Sequence, residues 1–515
     1  MKKTRTEYSI LNIVTGLGGY LLNTVLGLVC RMVFTRTLSA EYLGVSGLFT
    51  NILSMLSLAE LGIGSAIVYA LYKPLAVDDR EKVASLVKFY GQCYRVIGVV
   101  VAVIGAALMP FLHLLIDEPN IQESIYLLYG LYLFNAASTY FFSYRASLLM
   151  AAQQNYIVTG ANYAITVVQS VLQIIWLFAT HNYIGYLIIQ CIGSFVYNLV
   201  VSYIARKKYP YIAEKQIKPL DKEERGLLAR NIRALVIWKL CGLLVNSTDN
   251  IIITFFNGLA AVGLASNYTL LSGTLNSLLN QLFNGITASV GNLNAVESRE
   301  KKLAMFNVIN LANFWLFGWA SIGIFVVSTD IVGLLFGNSY VLPDSIPFVI
   351  ALNFYMVGMQ SAVWTYKNTM GLFRQGRYLL IATAAINLVC SIWLGKLWGL
   401  FGILFATAIS RALTNTWYDP YAVFKYGLEE KVSVYFKKYG QFAAVLILTG
   451  AACYFLCALI HISVWADVIL KFVICCVVPN LIFFLCFRRK EEFQYFQNVL
   501  NRMIHKVFAR RAGGQ

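Results

Sequence analysis

Charged residues are scarce in this sequence, and so are histidines. Only 13% of the 515 residues are charged, whereas about one quarter are charged in an ordinary soluble globular domain. Hydrophobic residues make up 59%, and no long stretch is polar enough to form a core-and-surface domain in water. These shortages exclude a sizeable soluble domain and favour a protein built into a membrane.

Motifs typical of soluble enzymes and pumps are also missing. The ten cysteines show no CxxC or Cys/His spacing, so they are predicted to be small apolar residues in helices. No Walker A, GxGxxG or HExxH motif occurs where its mechanism would need it. His113, His181 and His461 fall at or near predicted helix ends, without a carboxylate or nucleophile motif around them. The sequence therefore argues against a catalytic histidine and an ATP-driven pump domain.

Long apolar runs recur from one end of the sequence to the other. A bilayer core requires about 20 apolar residues for each spanning helix. The first run, from near Tyr8, is too long for a signal-peptide core and is predicted to be a retained helix. The fourteen predicted spans are 9–34, 42–70, 84–112, 124–149, 156–179, 183–205, 231–256, 261–290, 303–328, 346–371, 378–395, 399–419, 439–461 and 466–487.

The loops between these spans alternate in charge. Lys and Arg concentrate in the amino terminus, in the tail and in every second loop, such as KPLAVDDREK after span 2. Basic loops stay on the cytoplasmic side, so both termini are predicted to be cytoplasmic. Arg36, Lys396 and Lys471 are the exceptions. The net charge of +17 then reflects topology, and nucleic acid is not predicted as a partner.

Part of the sequence occurs twice in similar form. AVDDREK at 76–82 and AVESREK at 295–301 share five of seven residues and lie 219 positions apart. Gly44 and Gly263 keep the same spacing, and each lies near the start of a predicted helix. Internal repeats of this kind are common in transporters.

A second match follows in the same order. YRASLLMAAQQNY at 144–156 aligns with YKNTMGLFRQGRY at 366–378, so that Arg145 corresponds to Lys367. An even number of predicted spans separates the two copies, so both enter the membrane from the same side. The sequence thus predicts two six-helix halves in parallel orientation, with a substrate site between them near mid-membrane.

The predicted fold class is an all-α polytopic membrane protein of fourteen transmembrane helices. Its two pseudo-symmetric six-helix lobes are followed by two C-terminal helices. The long loop after span 6 is charged and holds two prolines, which is typical of a linker. The predicted domains are an N-terminal lobe at 1–206, a cytoplasmic linker at 207–226, a C-terminal lobe at 227–420, two additional helices at 421–487 and a basic cytoplasmic tail at 488–515.

Eight ionisable residues are assigned to the predicted membrane spans. Each such charge costs about 2.5–3.5 kcal/mol on insertion scales, and such residues usually face a bundle interior or a water-filled cavity. Six of them are basic and two acidic, and this excess of four positive charges suggests a cavity for an anionic substrate group. The basic candidates for substrate binding are Arg31, Arg95, Arg145, Lys239, Lys367 and Arg411.

The two acidic residues are candidates for charge balance or coupling. Glu60 lies within SMLSLAELGIGSAIVYA and is interpreted either as the counterion of a lumen arginine, such as Arg31 or Arg95, or as a proton or sodium site. Asp249, within NSTDNIIIT, either faces the cavity or caps and pairs locally. No metal site is predicted.

Ordered segments of the sequence resemble bacterial polysaccharide flippases. TRTLSAEYLGVSGLFTNILSML, AELGIGSAIVYALYKPLAVDDREKV, TDNIIITFFNGLAAVGLASNY and GLFRQGRY are similar to regions around spans 1–2, 2, 7–8 and 10 of that family. The family is the Wzx-type polysaccharide-transporter branch of the multidrug/oligosaccharidyl-lipid/polysaccharide (MOP) exporter superfamily. The resemblance covers nearly the whole chain, through an ordered series rather than one specific motif.

This resemblance implies a two-lobed fold with a central cavity in the bacterial plasma membrane. The implied substrate is undecaprenyl-diphosphate carrying an oligosaccharide repeat unit, flipped to the outer leaflet for cell-surface polysaccharide synthesis. The implied partners are membrane lipid, polysaccharide polymerase and glycosyltransferases. No cofactor is implied, and Na⁺ or H⁺ stays open as a coupling ion.

Two other functions stay open at this point. A cation-coupled multidrug or small-solute exporter of the same fold would depend on Glu60 and Asp249 and tolerate loss of cavity arginines. A membrane polysaccharide polymerase or ligase would need a large extracytoplasmic loop with catalytic residues. The longest outer loop, near 329–345, holds about 17 residues and no convincing acid/base pair. The chain is therefore predicted not to be an enzyme.

Overall fold

Every regular element in the described residues is a helix. The computed structural model describes residues 5–56, 70–226 and 248–498, apart from gaps at 72–73, 76, 115, 117–120, 153, 215–216, 222, 373–374, 377, 461 and 496. The α-helices are α1 (Arg5–Thr37), α2 (Ala40–Leu56), α3 (Arg80–Leu108), α4 (Ile125–Ala151), α5 (Asn155–Thr180), α6 (Tyr183–Lys208), α7 (Asp249–Val296), α8 (Arg299–Phe336), α9 (Ser345–Thr369), α10 (Leu379–Leu413), α11 (Asn415–Ala422), α12 (Ser433–Ala458) and α13 (Val464–Phe487).

The chain divides into two compact units, residues 1–263 and 264–515. In the first unit, α1 packs on α5, α4 on α3 and α6, and α5 on α6. In the second unit, α8 packs on α9 and α13, α9 on α10, and α12 on α13. The domain boundaries drawn from the sequence stay a prediction.

The helices carry apolar side chains on their outer surfaces. On α3, for example, Val96, Val99 and Val103 are all exposed, as expected of residues that face lipid. In the part of the chain that the structure describes, ten helical segments are long and apolar enough to cross a membrane. The chain is therefore a multi-pass membrane protein. The count of fourteen spans and the cytoplasmic termini stay predictions.

Helix α10 is a hairpin of two helices. Gly399 has φ 56° and ψ −136° inside it, a backbone conformation that glycine adopts at little cost. Beyond this turn, a methyl group added at Gly402 would lie 2.1 Å from the carbonyl oxygen of Leu394. Asn387 Nδ2 also donates to Thr407 Oγ1 across the pair, at 3.1 Å. The predicted break between spans 11 and 12 is thus confirmed.

Two other predicted breaks are also present. Helices α5 and α6 meet at His181, which has φ 53°, and Asn182 caps α6 by accepting a hydrogen bond from the Gly185 amide at 3.0 Å. Helix α7 changes direction at Gly258, with φ 79° and ψ 171°. The turn at His181 lies between predicted spans 5 and 6. The turn at Gly258 lies between predicted spans 7 and 8.

The repeated sequence AVDDREK/AVESREK forms the start of a helix in both copies. Helix α3 begins at Arg80 after Asp79, and α8 begins at Arg299 after Ser298. The Asp79 carboxylate accepts a hydrogen bond from the Lys82 amide at 2.9 Å, as an N-cap residue does. The same structural event at the same spacing supports the alignment of the two copies.

The two glycines that the repeat equates lie at one helix crossing inside the first unit. A methyl group added at Gly44 in α2 would lie 2.0 Å from the Leu259 carbonyl oxygen. One added at Gly263 in α7 would lie 2.0 Å from the Ala40 carbonyl oxygen. Ala40 and Leu259 are 219 residues apart, like the glycines. The contact is therefore reciprocal, as in a two-fold symmetric interface.

Candidate functional site

The repeat-related cations Arg145 and Lys367 occupy matched places in the two units. Arg145 lies near the end of α4 and Lys367 near the end of α9, each directly after a tyrosine. Tyr144 and Tyr366 are both buried. Tyr144 packs against α3 and Tyr366 against α8, so the same local arrangement presents each cation.

In the second unit, Lys367 is held in an ion pair. Its Nζ lies 2.6 Å from Asp419 Oδ1, and the Asp419 side chain is only 4% exposed. Trp364 Nε1 donates to the other carboxylate oxygen at 3.0 Å. Both oxygens of Asp419 thus have a partner, and the charge of Lys367 is balanced inside its own unit.

Asp419 is not among the intramembrane acids predicted from the sequence. It is the last residue of predicted span 12, before Pro420, and such a position is typical of a helix end at the water boundary. The structure places it in α11, packed beside α9. The excess positive charge inside the second unit is therefore smaller than the sequence suggests. The sequence feature that could have indicated this buried acid is its place in the final turn of an apolar run.

In the first unit, Arg145 has a hydroxyl partner instead of a carboxylate. Its guanidinium donates to Ser202 Oγ in α6 and lies 5.0 Å from the centroid of the Tyr144 ring. No carboxylate forms an ion pair with Arg145 within the residues that the structure describes. Ser202 lies in the sixth predicted span of the first half, and Asp419 lies at the end of the sixth predicted span of the second half. The two halves therefore differ in charge beside the repeat-related cation.

Two further arginines act on Arg145 through their charges. Arg95 of α3 and Arg206 in the last turn of α6 are both exposed and repel it. We call Arg95, Arg145 and Arg206 the arginine cluster. Like charges raise one another's energy unless an anion lies among them. The cluster is thus suited to a phosphate or diphosphate group, which guanidinium groups bind with paired hydrogen bonds.

Arg31, another predicted cavity cation, lies in the first helix. It is half-buried in α1, and its charge acts on Tyr132 and Tyr186. The Tyr132 and Tyr183 hydroxyls are hydrogen-bonded at 2.8 Å. The structure therefore places this predicted cation beside buried tyrosines of α4 and α6.

The remaining predicted site residues are spread over the chain. Asp249 is the first residue of α7 and Arg411 lies in the last turn of α10, both half-buried. Glu60 and Lys239 lie outside the described residues, which omit 57–69 and 227–247. Their predicted roles stay predictions. The described residues contain no group of three or more His, Cys, Asp or Glu that could hold a metal ion.

One exception to the charge pattern of the loops has a structural reason. Lys471, in a region predicted to be outside, forms an ion pair with Asp330 of α8, with Nζ 2.9 Å from Oδ2. A lysine whose charge is balanced in this way adds little to the charge difference across the membrane.

Comparison with known proteins identifies the family. Residues 11–288, more than half of the chain, match a family model described as polysaccharide biosynthesis protein. The chain belongs to the polysaccharide biosynthesis protein family. No curated protein matches it at a significant level.

Several solved structures are similar to this chain in fold. The lipid II flippase MurJ, in an inward closed conformation, is similar with a TM-score of 0.67 and 13% identity, over 92% of this chain and 99% of MurJ. An inward-facing multidrug resistance MATE transporter of the MOP superfamily is similar with a TM-score of 0.57 and 12% identity, over 81% of this chain and 96% of that transporter. A MOP superfamily transporter from Pyrococcus furiosus is similar with a TM-score of 0.53 and 12% identity, over 84% of this chain and 100% of that transporter.

These identities are low, so the likeness shows a shared fold. The chain has the MOP-type fold that the sequence predicts. The structures that share this fold are described as flippases and transporters.

Proposed function

We propose that this protein flips undecaprenyl-diphosphate-linked oligosaccharide across the bacterial plasma membrane. The observation that carries the proposal is the position of Arg145 in the arginine cluster. Arg145 is half-buried, donates to the Ser202 hydroxyl and forms no ion pair with a carboxylate among the described residues. A diphosphate supplies the missing negative charge. The family match and the fold shared with the lipid II flippase MurJ support the same function.

The proposed mechanism is alternating access. The diphosphate binds arginines in a cavity while the polyprenyl tail stays in the lipid. Charge-assisted hydrogen bonds in a poorly hydrated site hold the phosphate oxygens more strongly than water-exposed ones would. The oligosaccharide, which is too polar for hydrocarbon, crosses inside the protein. Glycosyltransferases act before this step and the polymerase acts after it.

Removing the charge of Arg145 tests the proposal directly. We expect Arg145→Gln to lower the initial rate of flipping about tenfold or more, because a hydrogen bond to a charged group contributes about 1.5–3 kcal/mol. The measurement is transfer of a fluorescent undecaprenyl-diphosphate oligosaccharide between the leaflets of proteoliposomes. The matched control is Arg80→Gln, which removes an exposed arginine at the start of α3 and should leave the rate unchanged.

The same assay separates the flippase from a cation-coupled exporter. If Arg145→Gln flips normally and the protein instead expels cationic drugs, the exporter is correct. In a deletion strain, the flippase predicts that lipid-linked oligosaccharide accumulates on the cytoplasmic face while surface polymer disappears. Mass spectrometry of that pool would also identify the glycan.

Glu60 is proposed as the carboxylate that balances a cavity arginine or carries the coupling ion. We expect Glu60→Gln to slow flipping, because the variant loses the charge and the titrating group while keeping its size. Flipping is measured with and without proton and sodium gradients. Intact transport by the variant under every gradient would show that Glu60 has neither role.

A further inference from the structure

An apolar groove runs along one face of α8 in the second unit. It has a volume of about 530 Å³, within the range of small-molecule sites. From α8 its wall is formed by Val308, Leu311, Ala312, Trp315, Leu316 and Trp319. Asn480 of α13, together with Glu492 and Phe493 beyond the end of α13, completes it. We call this space the α8 groove.

The two tryptophans present apolar surfaces to the groove. Trp315 Nε1 donates to Asn480 Oδ1 at 2.6 Å, and Trp319 Nε1 donates to the Cys475 carbonyl at 2.9 Å. The ring of Phe493 stacks on Trp315 with centroids 5.6 Å apart. Because both indole N–H groups are already bonded, the free faces of these rings favour hydrocarbon.

At one end the apolar groove meets a second cavity, whose walls carry charged side chains. This acidic mouth has a volume of about 600 Å³ and shares the wall residues Val308 and Glu492 with the groove, so the two spaces are adjacent. Its charged wall residues are Arg299, Glu300, Glu430, Glu491 and Glu492.

Two of the four carboxylates at the mouth have ion-pair partners. Arg299 pairs with Glu430 at 3.0 Å, and Lys438 pairs with Glu492 at 2.5 Å.

Glu300 and Glu491 form no ion pair with any described residue. Four carboxylates against the two ion-pair partners Arg299 and Lys438 leave the mouth a net charge of about −2, in a chain whose net charge is +17. Arg299 also acts on Glu300, and Lys490 on Glu492, through their charges. By the predicted topology the mouth lies on the cytoplasmic side, where basic residues dominate elsewhere.

The dimensions of the groove match one leaflet of a bilayer. From Val308 to Trp319 an α-helix rises about 16 Å, and half of a hydrocarbon core is about 15 Å thick. An acyl chain along the groove would begin near the mouth, where a head group meets water.

We propose that the α8 groove and its acidic mouth bind a membrane lipid with an amine head group from the cytoplasmic leaflet. The acyl chain lies along Trp315 and Trp319, and the ammonium group lies between Glu300 and Glu491. Opposite charges at the mouth select this lipid against an anionic one. The site is separate from the arginine cluster, which belongs to the other unit and suits anions.

Quenching of tryptophan fluorescence by brominated lipid tests this proposal. The full-length protein is reconstituted in phosphatidylglycerol vesicles, with a small fraction of phosphatidylethanolamine or phosphatidylglycerol brominated on its acyl chains. We expect phosphatidylethanolamine to bind roughly tenfold more strongly than phosphatidylglycerol, because its head group contacts two surface charges of opposite sign. Trp315→Phe/Trp319→Phe should abolish this difference while keeping aromatic packing.

Charge variants distinguish the outcomes. Glu300→Gln/Glu491→Gln should bind both lipids equally, whereas the control Glu81→Gln/Glu224→Gln, which removes two acids of the first unit, should keep the preference. Equal quenching by both lipids in the wild type would overturn the proposal. A preference that persists in Glu300→Gln/Glu491→Gln, or in the tryptophan double variant, would also overturn it. Mass spectrometry of lipids that copurify with each folded variant provides the second readout.

Discussion

Replacing Asp419 with alanine should lower the free energy of unfolding by about 3 kcal/mol, at the lower end of the range for breaking a buried ion pair. The variant leaves Lys367, whose side chain is 17% exposed, without its counterion. It also removes the acceptor of the Trp364 indole. Denaturant unfolding in detergent micelles, followed by tryptophan fluorescence, measures the change.

A second variant separates charge from packing. Lys367→Met/Asp419→Asn removes both charges and keeps an amide acceptor for Trp364, so it should recover most of the lost stability. Asp78→Asn breaks the exposed pair with Arg80, where the side chains are 78% and 67% exposed, and should have almost no effect. If Asp419→Ala unfolds like the wild type, the ion pair does not stabilise the second unit.

The second large effect is expected at the crossing of α2 and α7. Gly263→Ala places a methyl group 2.0 Å from the Ala40 carbonyl oxygen, and backbone at such a distance has to move. We expect a loss of about 1–3 kcal/mol of stability and loss of flipping, because the shift reaches both helices. Gly44→Ala should behave alike, since its methyl group would meet the Leu259 carbonyl at the same distance.

A glycine elsewhere in α7 provides the matched control. No atom lies within 4 Å of a methyl group added at Gly273, which is exposed and helical. Gly273→Ala should therefore stabilise the protein by about 0.5–1 kcal/mol. Circular dichroism during heating gives the sign for all three variants. If Gly263→Ala were as stable as Gly273→Ala, close contact at the crossing would not matter.

Much of the fold could be predicted because its signals are local. An apolar run long enough to span a bilayer identifies a membrane helix wherever its neighbours lie. The starts of α3 and α8 follow from a short polar sequence that occurs twice, with Asp79 as the cap in one copy. The hairpin turn at Gly399 lies at the polar break that the sequence shows between spans 11 and 12.

The candidate site was only partly predictable, since burial and pairing depend on distant residues. The repeat correctly aligned Arg145 with Lys367, and the two occupy matched places. It gave no sign that Ser202 faces one and Asp419 the other. The acidic mouth was hidden as well, because Glu300, Glu430 and Glu491 are ordinary loop and helix-end acids until α8, α12 and the tail meet.

By itself, the sequence determined that this protein is an all-helical membrane protein, and its internal repeat predicted two related halves. Hydropathy and repeated short motifs act within one helix or loop, and a bilayer leaves the backbone almost no alternative to helices. Only the tertiary structure decided which charges are balanced. Lys367 meets Asp419 across 52 residues, and Lys471 meets Asp330 across 141. Such pairs depend on which helix faces pack together, and no local pattern of residues specifies that.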